Sequence, residues 1–547
     1  MALNFADLFE HATDVFGDRV AVISGDRSVT YAELEERTNR LAHHLAALGV
    51  GPGDHVGLYA HNSVPAMETL LATCKLRAAM VNINYRYAEK ELAYMFGDAD
   101  LAALVHDREY GPLVAAVGLP AGLRGTVVIE DGSGAALADG AVEYEAALAG
   151  ASPERDFGPR SNDDVYIIYT GGTTGYPKGV MWRNEDIWRT LGGGTDYVTG
   201  ELLPDEWTPS RKGLENPGLV KLVTVPLIHG YAQMGSLSGL FSGDTMILMP
   251  RFTAAECWQT VERHKANLLM IVGDAMGRPL MDELRQHSYD TSSLFALAST
   301  GALFSPAVKD ACAAALPNVF ITESVGSTET GFAGLGMVSA GAEHRGGPTV
   351  KAGPDILVID DDNRPVGPGQ IGRLARGGFV PLGYYKDPDK TAKLMVEVDG
   401  RRYVTPGDFA RVEEDGTFTL LGRGNTCVNS GGQKVFPEEV EGALKSHPEV
   451  FDALVIGIPD ERYGESVAAL VEPRSGTGPG VALDLDAVAV HLRSQIAGFK
   501  IPRSMWLVDQ IARNPVGKPG YGWAREHVAA NPPTWRAGDR AGTAATD

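Results

Sequence analysis

The segment Tyr169-Thr-Gly-Gly-Thr-Thr-Gly-Tyr-Pro-Lys-Gly-Val180 decides how this chain is read. It follows the apolar run 165–169, which reads as a strand. Gly171, Gly172, Gly175 and Gly179 let the backbone turn tightly and present N–H groups to an anion. Thr170, Thr173 and Thr174 add hydroxyl donors, and Lys178 adds a fixed positive charge. Such a loop suits phosphate oxygens. It is not a Walker A loop, because Pro177 precedes the lysine and Gly179, not Ser or Thr, follows it. Composition alone leaves a Gly/Thr-rich surface turn as an equal reading.

Outward from the loop, strands alternate with helices. Residues 20–23 form a short β-like run. Thr30-Tyr-Ala-Glu33 is a capping box, and Leu34, Leu41, Leu45 and Leu48 follow at helical spacing until Gly49 stops the helix. Residues 56–59 read as the next strand, and the grammar recurs at 101–105, 165–169, 219–225, 268–272 and 294–299. It predicts layered α/β structure with mostly parallel strands. Near Ile356 the pattern changes to short strands with Asn, Pro and Gly turns, including an Asp415-Gly416 hairpin signal, which reads as a compact β subdomain. After Gly424 a smaller α+β unit begins, with 435–445 and 485–497 helix-like and 453–458 strand-like.

The chain has 547 residues, 44% of them hydrophobic and 22% charged, so it is globular and long enough for several packed units. Lys and Arg number 48 against 70 Asp and Glu, a formal charge of −22. That argues against a nucleic-acid or anionic-membrane binder but leaves room for a local phosphate site. Cys74, Cys257, Cys312 and Cys427 are scattered with no CxxC pair, which suggests neither a zinc site nor a disulfide framework. No apolar run is long enough to span a membrane, and the N-terminus does not read as a signal peptide. A cytoplasmic setting is the expectation.

The loop resembles the phosphate loop of the adenylate-forming superfamily, which holds acyl- and aryl-CoA synthetases, luciferases and peptide-synthetase adenylation domains. Gly171 stands where that family usually has Ser. The resemblance spans nearly the whole chain, from Thr30 to Lys518. It implies a large N-terminal adenylation domain, residues 1–423, with the β subdomain at about 350–423. A mobile C-terminal domain, 424–530, and a flexible tail, 531–547, would follow.

The resemblance also assigns roles. Glu323-Ser-Val-Gly-Ser-Thr-Glu329 is similar to a segment in which Glu329 would hold Mg²⁺ and Thr328 would contact the nucleotide phosphates, beside Glu323 and Ser324. Val325 stands where the family usually has an aromatic, so an adenine-stacking contact is expected to be replaced. Gly301 and Ala302, in Ser299-Thr-Gly-Ala-Leu-Phe304, resemble the turn behind the adenine. Asp408, in Tyr403-Val-Thr-Pro-Gly-Asp408, would accept from the ribose hydroxyls, and Arg423 would contact ribose or phosphate through its charged fork. Ser430, Gly431 and Gly432 would face the CoA tunnel. Lys518, in Arg513-Asn-Pro-Val-Gly-Lys518, would neutralise carboxylate and α-phosphate during adenylation. The hinge would lie near 424–426, where Thr426 replaces the usual Asp or Lys.

The implied reaction has two halves: a carboxylate attacks the ATP α-phosphorus, then CoA thiolate attacks the acyl-AMP. His229, in Val225-Pro-Leu-Ile-His229, would line the carboxylate end of the acyl pocket, with Gly326 nearby. No Asp stands in 226–233 to hold a substrate amine, which counts against amino acids. Met181-Trp-Arg-Asn-Glu-Asp-Ile-Trp188 and the insert around 192–201 resemble actinobacterial acyl-CoA synthetases of sterol side-chain breakdown. They imply a steroid carboxylate or a medium- or long-chain fatty acid as the small-molecule substrate, with ATP, Mg²⁺ and CoA. Two alternatives stay open: an aryl- or amino-acid-adenylating enzyme that feeds a carrier protein, and a non-catalytic nucleotide-binding homologue. The sequence shows no interface signature, though homodimers occur among similar enzymes.

Overall fold

The computed structural model describes residues 4–170, 176–196, 199–338, 347–353, 355–424, 426–430, 433–460, 463–474, 483–513 and 520–537, with Lys434 as backbone only. The local signals act as read. Thr30 and Glu33 form a reciprocal capping box at the start of the helix Tyr31–Ala47, and Gly49 follows its end at φ 86°. Ser63 caps Val64–Lys75, which has Pro65 in its first turn.

The described strands form two large sheets, a small ribbon and a C-terminal sheet. Val20–Ser24, Thr245–Leu248, Val220–Val223, Leu268–Ile271, Ala296–Ser299 and Phe320–Ser327 lie side by side in parallel. Phe320–Ser327 then turns back antiparallel into Gly331–Val338. Through Thr349–Ala352 the same sheet runs on into Thr417–Arg423, Asp408–Val412 and Ile371–Arg376. The β segment expected near 350–423 is thus continuous with the large sheet, although Val350, Val358, Leu374, Ala410 and Phe418 give it a core of its own. The second sheet is parallel throughout: Ala79–Asn82, His55–Tyr59, Leu101–Asp107, Gly125–Ile129 and Val142–Glu143. Helices between these sheets carry the main core, in which Trp182, Trp188 and Trp258 are fully buried. Truncating any of them costs on the order of 3–5 kcal/mol.

Three elements differ from the sequence reading. Val165–Thr170 pairs antiparallel with Lys178–Arg183, from Val165↔Arg183 to Thr170↔Lys178. Only residues 171–177 join the two strands, too few for a parallel crossover. The helix expected from 435 starts at Pro437, because Val435 still belongs to the strand Gln433–Val435. Residues 535–536, expected in a frayed tail, form an edge strand on Ser504–Leu507, and Trp535 Nε1 donates to Asp486 at 2.7 Å.

The C-terminal unit is built on the long hairpin Val450–Asp460/Gly464–Pro473, covered by Pro437–Lys445 and Leu485–Gln495. It touches the N-terminal body at one place in particular. Lys445 Nζ, its side chain 1% exposed, lies 3.0 Å from Asp274 in the first turn of Gly273–Gln286. The Arg278 guanidinium sits 5.4 Å over the Phe451 ring beside it.

Candidate active site

The site forms where the short ribbon, the Phe320–Ser327/Gly331–Val338 turn and the Asp408/Arg423 strands converge. Thr170 and Lys178 pair at the base of the phosphate loop. Gly171, Gly172, Thr173, Thr174 and Gly175 lie outside the described residues. Asn82 holds the strand that enters the loop: its amide donates to Tyr169 O at 2.8 Å and Ile228 O at 2.7 Å, and its carbonyl accepts from Tyr169 N. Asn62 fixes the same 225–228 turn through Val225 O and Leu227 N. Neither asparagine stands in a recognisable motif.

Thr328 and Glu329 sit at a turn closed by a reciprocal pair: Thr330 N donates to Ser327 Oγ at 3.1 Å, and Ser327 N to Thr330 Oγ1 at 3.0 Å. Gly331 follows at φ 62°, and a Cβ there would overlap Thr190, so glycine is required on both grounds. The buried Trp182 donates to Thr328 O at 3.0 Å. Glu329 is 8% exposed and accepts from Tyr384 Oη at 2.9 Å. Tyr384 is held there because Gly383–Tyr384 pairs with Met181 and Val180 on the ribbon. Burial and the neighbouring Glu329 push its hydroxyl well above its ordinary pKa, so it stays a donor. Lys178 Nζ lies 5.1 Å over the same ring. Burial, then Lys390, lowers the pKa of this ammonium.

Asp408 and Arg423 face each other across adjacent strands, with Arg423 Nε 3.1 Å from Asp408 Oδ1. Asp408 raises the arginine's pKa, and Glu329 adds to the same field. Gly301 (φ 81°) and Ala302 form the turn after Ala296–Ser299, and Thr300 Oγ1 ties it to Ser324 O at 2.8 Å. Along Phe320–Ser327 burial alternates, so that Ser324 and Gly326 are open while Glu323 and Val325 are buried. Glu323 is buried and ion-paired with Lys309. Val325 packs with Ala333 and Val350, so its side chain belongs to the core and not to an adenine platform. His229 stands at the N-cap position of the helix Gly230–Phe241. Ser430 ends the strand Val428–Ser430, while Gly431, Gly432 and Lys518 lie outside the described residues. Arg513, shortly before Lys518, is fixed by two hydrogen bonds to Asp452 at 2.6 and 2.8 Å.

The structure therefore brings together the strand ends at Thr170 and Lys178, a buried carboxylate steered by a tyrosine, and an Asp–Arg pair. Two matches to known families agree with this set: an AMP-binding enzyme domain over residues 9–385 and the AMP-binding enzyme C-terminal domain over 439–518. The chain belongs to the AMP-binding enzyme family. It is 52% identical to a 3-oxocholest-4-en-26-oate–CoA ligase of Rhodococcus rhodochrous, over the whole of both chains. It is also 52% identical to a medium/long-chain-fatty-acid–CoA/3-oxocholest-4-en-26-oate–CoA ligase of Mycobacterium tuberculosis, over 97% of each. The ATP-bound structure of MatB from Rhodopseudomonas palustris superposes with TM-score 0.79 at 27% identity, covering 96% of this chain and 98% of that one. The chain is thus an AMP-forming acid–thiol ligase with the adenylate-forming fold. No helix among its described residues is long and apolar enough to cross a membrane.

Proposed function

We propose that the chain joins a hydrophobic carboxylic acid, a sterol side-chain carboxylate or a medium- to long-chain fatty acid, to CoA through an acyl adenylate. The observation that supports this reading is the Lys178–Tyr384–Glu329 arrangement together with the Asp408–Arg423 pair, a cation and two carboxylates of the kind that nucleotide and metal would need. The full-length likeness to ligases named for such acids supports the substrate class.

In the first half-reaction the acid's carboxylate oxygen bonds to the α-phosphorus and pyrophosphate leaves. Two anions must meet, so charge neutralisation and alignment dominate the barrier. Lys178 and the loop hydroxyls hold the phosphates, Asp408 accepts from the ribose diol, and Arg423 reaches ribose or phosphate. Lys518 bridges carboxylate and α-phosphate. Glu329 is a hard oxygen donor with a fixed orientation, and with Thr328 Oγ1 it suits Mg²⁺, which takes a carboxylate and completes its shell from phosphate and water. Bound there, the ion would offset the triphosphate charge. In the second half-reaction CoA sulfur bonds to the acyl carbon and AMP leaves. The C-terminal domain must rotate near 424–426 to withdraw Lys518 and bring Ser430–Gly432 to the thiol route.

The test separates the halves. Lys518→Ala should slow acyl-AMP formation strongly while thioester formation from supplied acyl-AMP stays largely intact. Equal loss in both halves overturns the role given to Lys518. Pyrophosphate exchange without thioester formation would instead favour an enzyme that feeds a carrier protein.

A further inference from the structure

Both ends of the phosphate loop are tied to one helix, Glu89–Asp98, which lies between two strands of the second sheet in the chain. This helix buries Leu92, Met95 and Phe96 in a cluster that also holds Ile167 and Tyr169 of the strand entering the loop. Tyr94 and Asp98 stand four residues apart, so they share one stripe on the flank of that buried face. Asp98 takes the entry of the loop: Tyr169 Oη donates to its Oδ2 at 2.8 Å. Tyr94 takes the exit. Its Oη donates to Pro177 O at 3.2 Å, one residue before Lys178, and its ring stacks on Tyr176 with centroids 4.3 Å apart.

Neighbouring residues are shaped to these contacts. The Tyr169 ring reaches Asp98 by lying across Gly179, its partner on the adjacent strand, and a Cβ at Gly179 would stand 2.8 Å from that ring. Burial, then Asp98, pushes the Tyr169 hydroxyl well above its ordinary pKa, so it remains a donor. Tyr176 is 57% exposed, so its side chain is no part of the core, and the Tyr94 ring orients it. The same helix end also takes the segment that follows Tyr384. Tyr385 Oη donates to Asp100 Oδ2 at 2.7 Å, and Lys386 Nζ donates to Asp98 O at 3.0 Å.

We propose that Glu89–Asp98 is a clasp that holds the two ends of the phosphate loop at the spacing ATP needs, with Tyr94 and Asp98 as positioning residues that act through the loop. The inference rests on the ligase reading above, in which the loop holds the phosphates that leave as pyrophosphate. A loop with Gly171, Gly172 and Gly175 loses much backbone freedom when it closes on an anion, and ends fixed beforehand reduce that loss. Release from the clasp therefore weakens ATP binding more than AMP binding, because Asp408 and Arg423 serve the ribose in both.

The test measures the affinity for Mg²⁺-ATP and for AMP by titration calorimetry without acid, in the wild type, Tyr94→Leu, Tyr176→Ala and the double variant. Tyr94→Leu should weaken ATP binding about tenfold and Tyr176→Ala about threefold, with AMP changed by less than about twofold in either. Both single changes remove the same stack, so the double variant should bind ATP within about twofold of Tyr94→Leu. Thioester formation from supplied acyl-AMP and CoA should stay near the wild-type rate throughout. Tyr176 is exposed, so its arm decides the matter even where Tyr94→Leu fails to fold. Equal losses for ATP and AMP, or unchanged ATP affinity, overturn the clasp alone. A wild type that binds ATP yet forms no acyl-AMP from any acid overturns the ligase reading, while the comparison of ATP with AMP still decides the clasp.

Discussion

Tyr384 Oη donates to Glu329 Oε1 at 2.9 Å while the same ring lies 5.1 Å from Lys178 Nζ. One side chain thus aligns the carboxylate suited to Mg²⁺ and the lysine suited to phosphate. Its own place is set by backbone pairing at Tyr384↔Val180. Tyr384→Phe removes a hydrogen bond to a charged group, a loss of about 1.5–3 kcal/mol where it is fully used. The expected result is roughly a tenfold fall in kcat/KM for acyl-AMP formation and a higher Mg²⁺ requirement, read by pyrophosphate release across a Mg²⁺ titration. An unchanged Mg²⁺ profile would contradict this alignment.

Asp408 and Arg423 are a cross-strand ion pair as well as the proposed ribose contact. The two roles separate experimentally. Asp408→Asn keeps the size and one acceptor oxygen but loses the charge. KM for ATP should rise by roughly tenfold, with a small change in thermal midpoint. A large drop in midpoint with KM unchanged would make the pair structural only.

Glu438 supplies a pH effect at the domain seam. Its carboxyl packs against Gly422, and burial, then Glu441, pushes its pKa up to about 8. Asp408 pushes the same way, and Arg423 opposes. The folded chain therefore holds this proton more tightly than the unfolded chain, whose carboxyl titrates near the ordinary 4.5. Below 4.5 both states are protonated; between 4.5 and about 8 the unfolded state alone ionises, so stability falls as pH rises through that window. Glu438→Gln should flatten the fall and raise the midpoint at pH 8, measured by denaturant unfolding at several pH values. An identical pH slope in the variant would exclude Glu438 as the source.

Lys445 and Asp274 join the two domains in the present arrangement. Breaking one partner of so buried a pair leaves the other charge uncompensated. Lys445→Met and Asp274→Asn should each increase proteolysis at the 424–426 junction. The double variant should be less affected than the sum, with a coupling energy above about 1 kcal/mol. Additive effects would mean that the two residues act independently.

Much of this was legible in the sequence, and the boundary of what was not has physical causes. The capping box at Thr30 and the Asp415-Gly416 turn depend on neighbours a few residues away, so local pattern finds them. The antiparallel return of Lys178–Arg183 was missed because an apolar run does not reveal its partner's direction. Asp408, Arg423 and Glu329 stood out through motif resemblance. Tyr384, Asn82 and Asn62 did not, because each acts across 55 residues or more: Tyr384 on Glu329, Asn82 on Tyr169 and Ile228, Asn62 on Val225 and Leu227. Glu323 and Val325 show the opposite case. Both stand in a motif segment, and strand alternation buries both side chains, which the motif alone does not reveal.

Product stoichiometry across an acid panel, with ATP, Mg²⁺ and CoA present, tests whether the chain is an acyl-CoA ligase for hydrophobic acids. 3-Oxocholest-4-en-26-oate and medium- and long-chain fatty acids should each give one AMP per CoA thioester, and benzoates and amino acids should lag far behind. A clear lead for benzoate-type acids, or AMP formed without thioester, would contradict it.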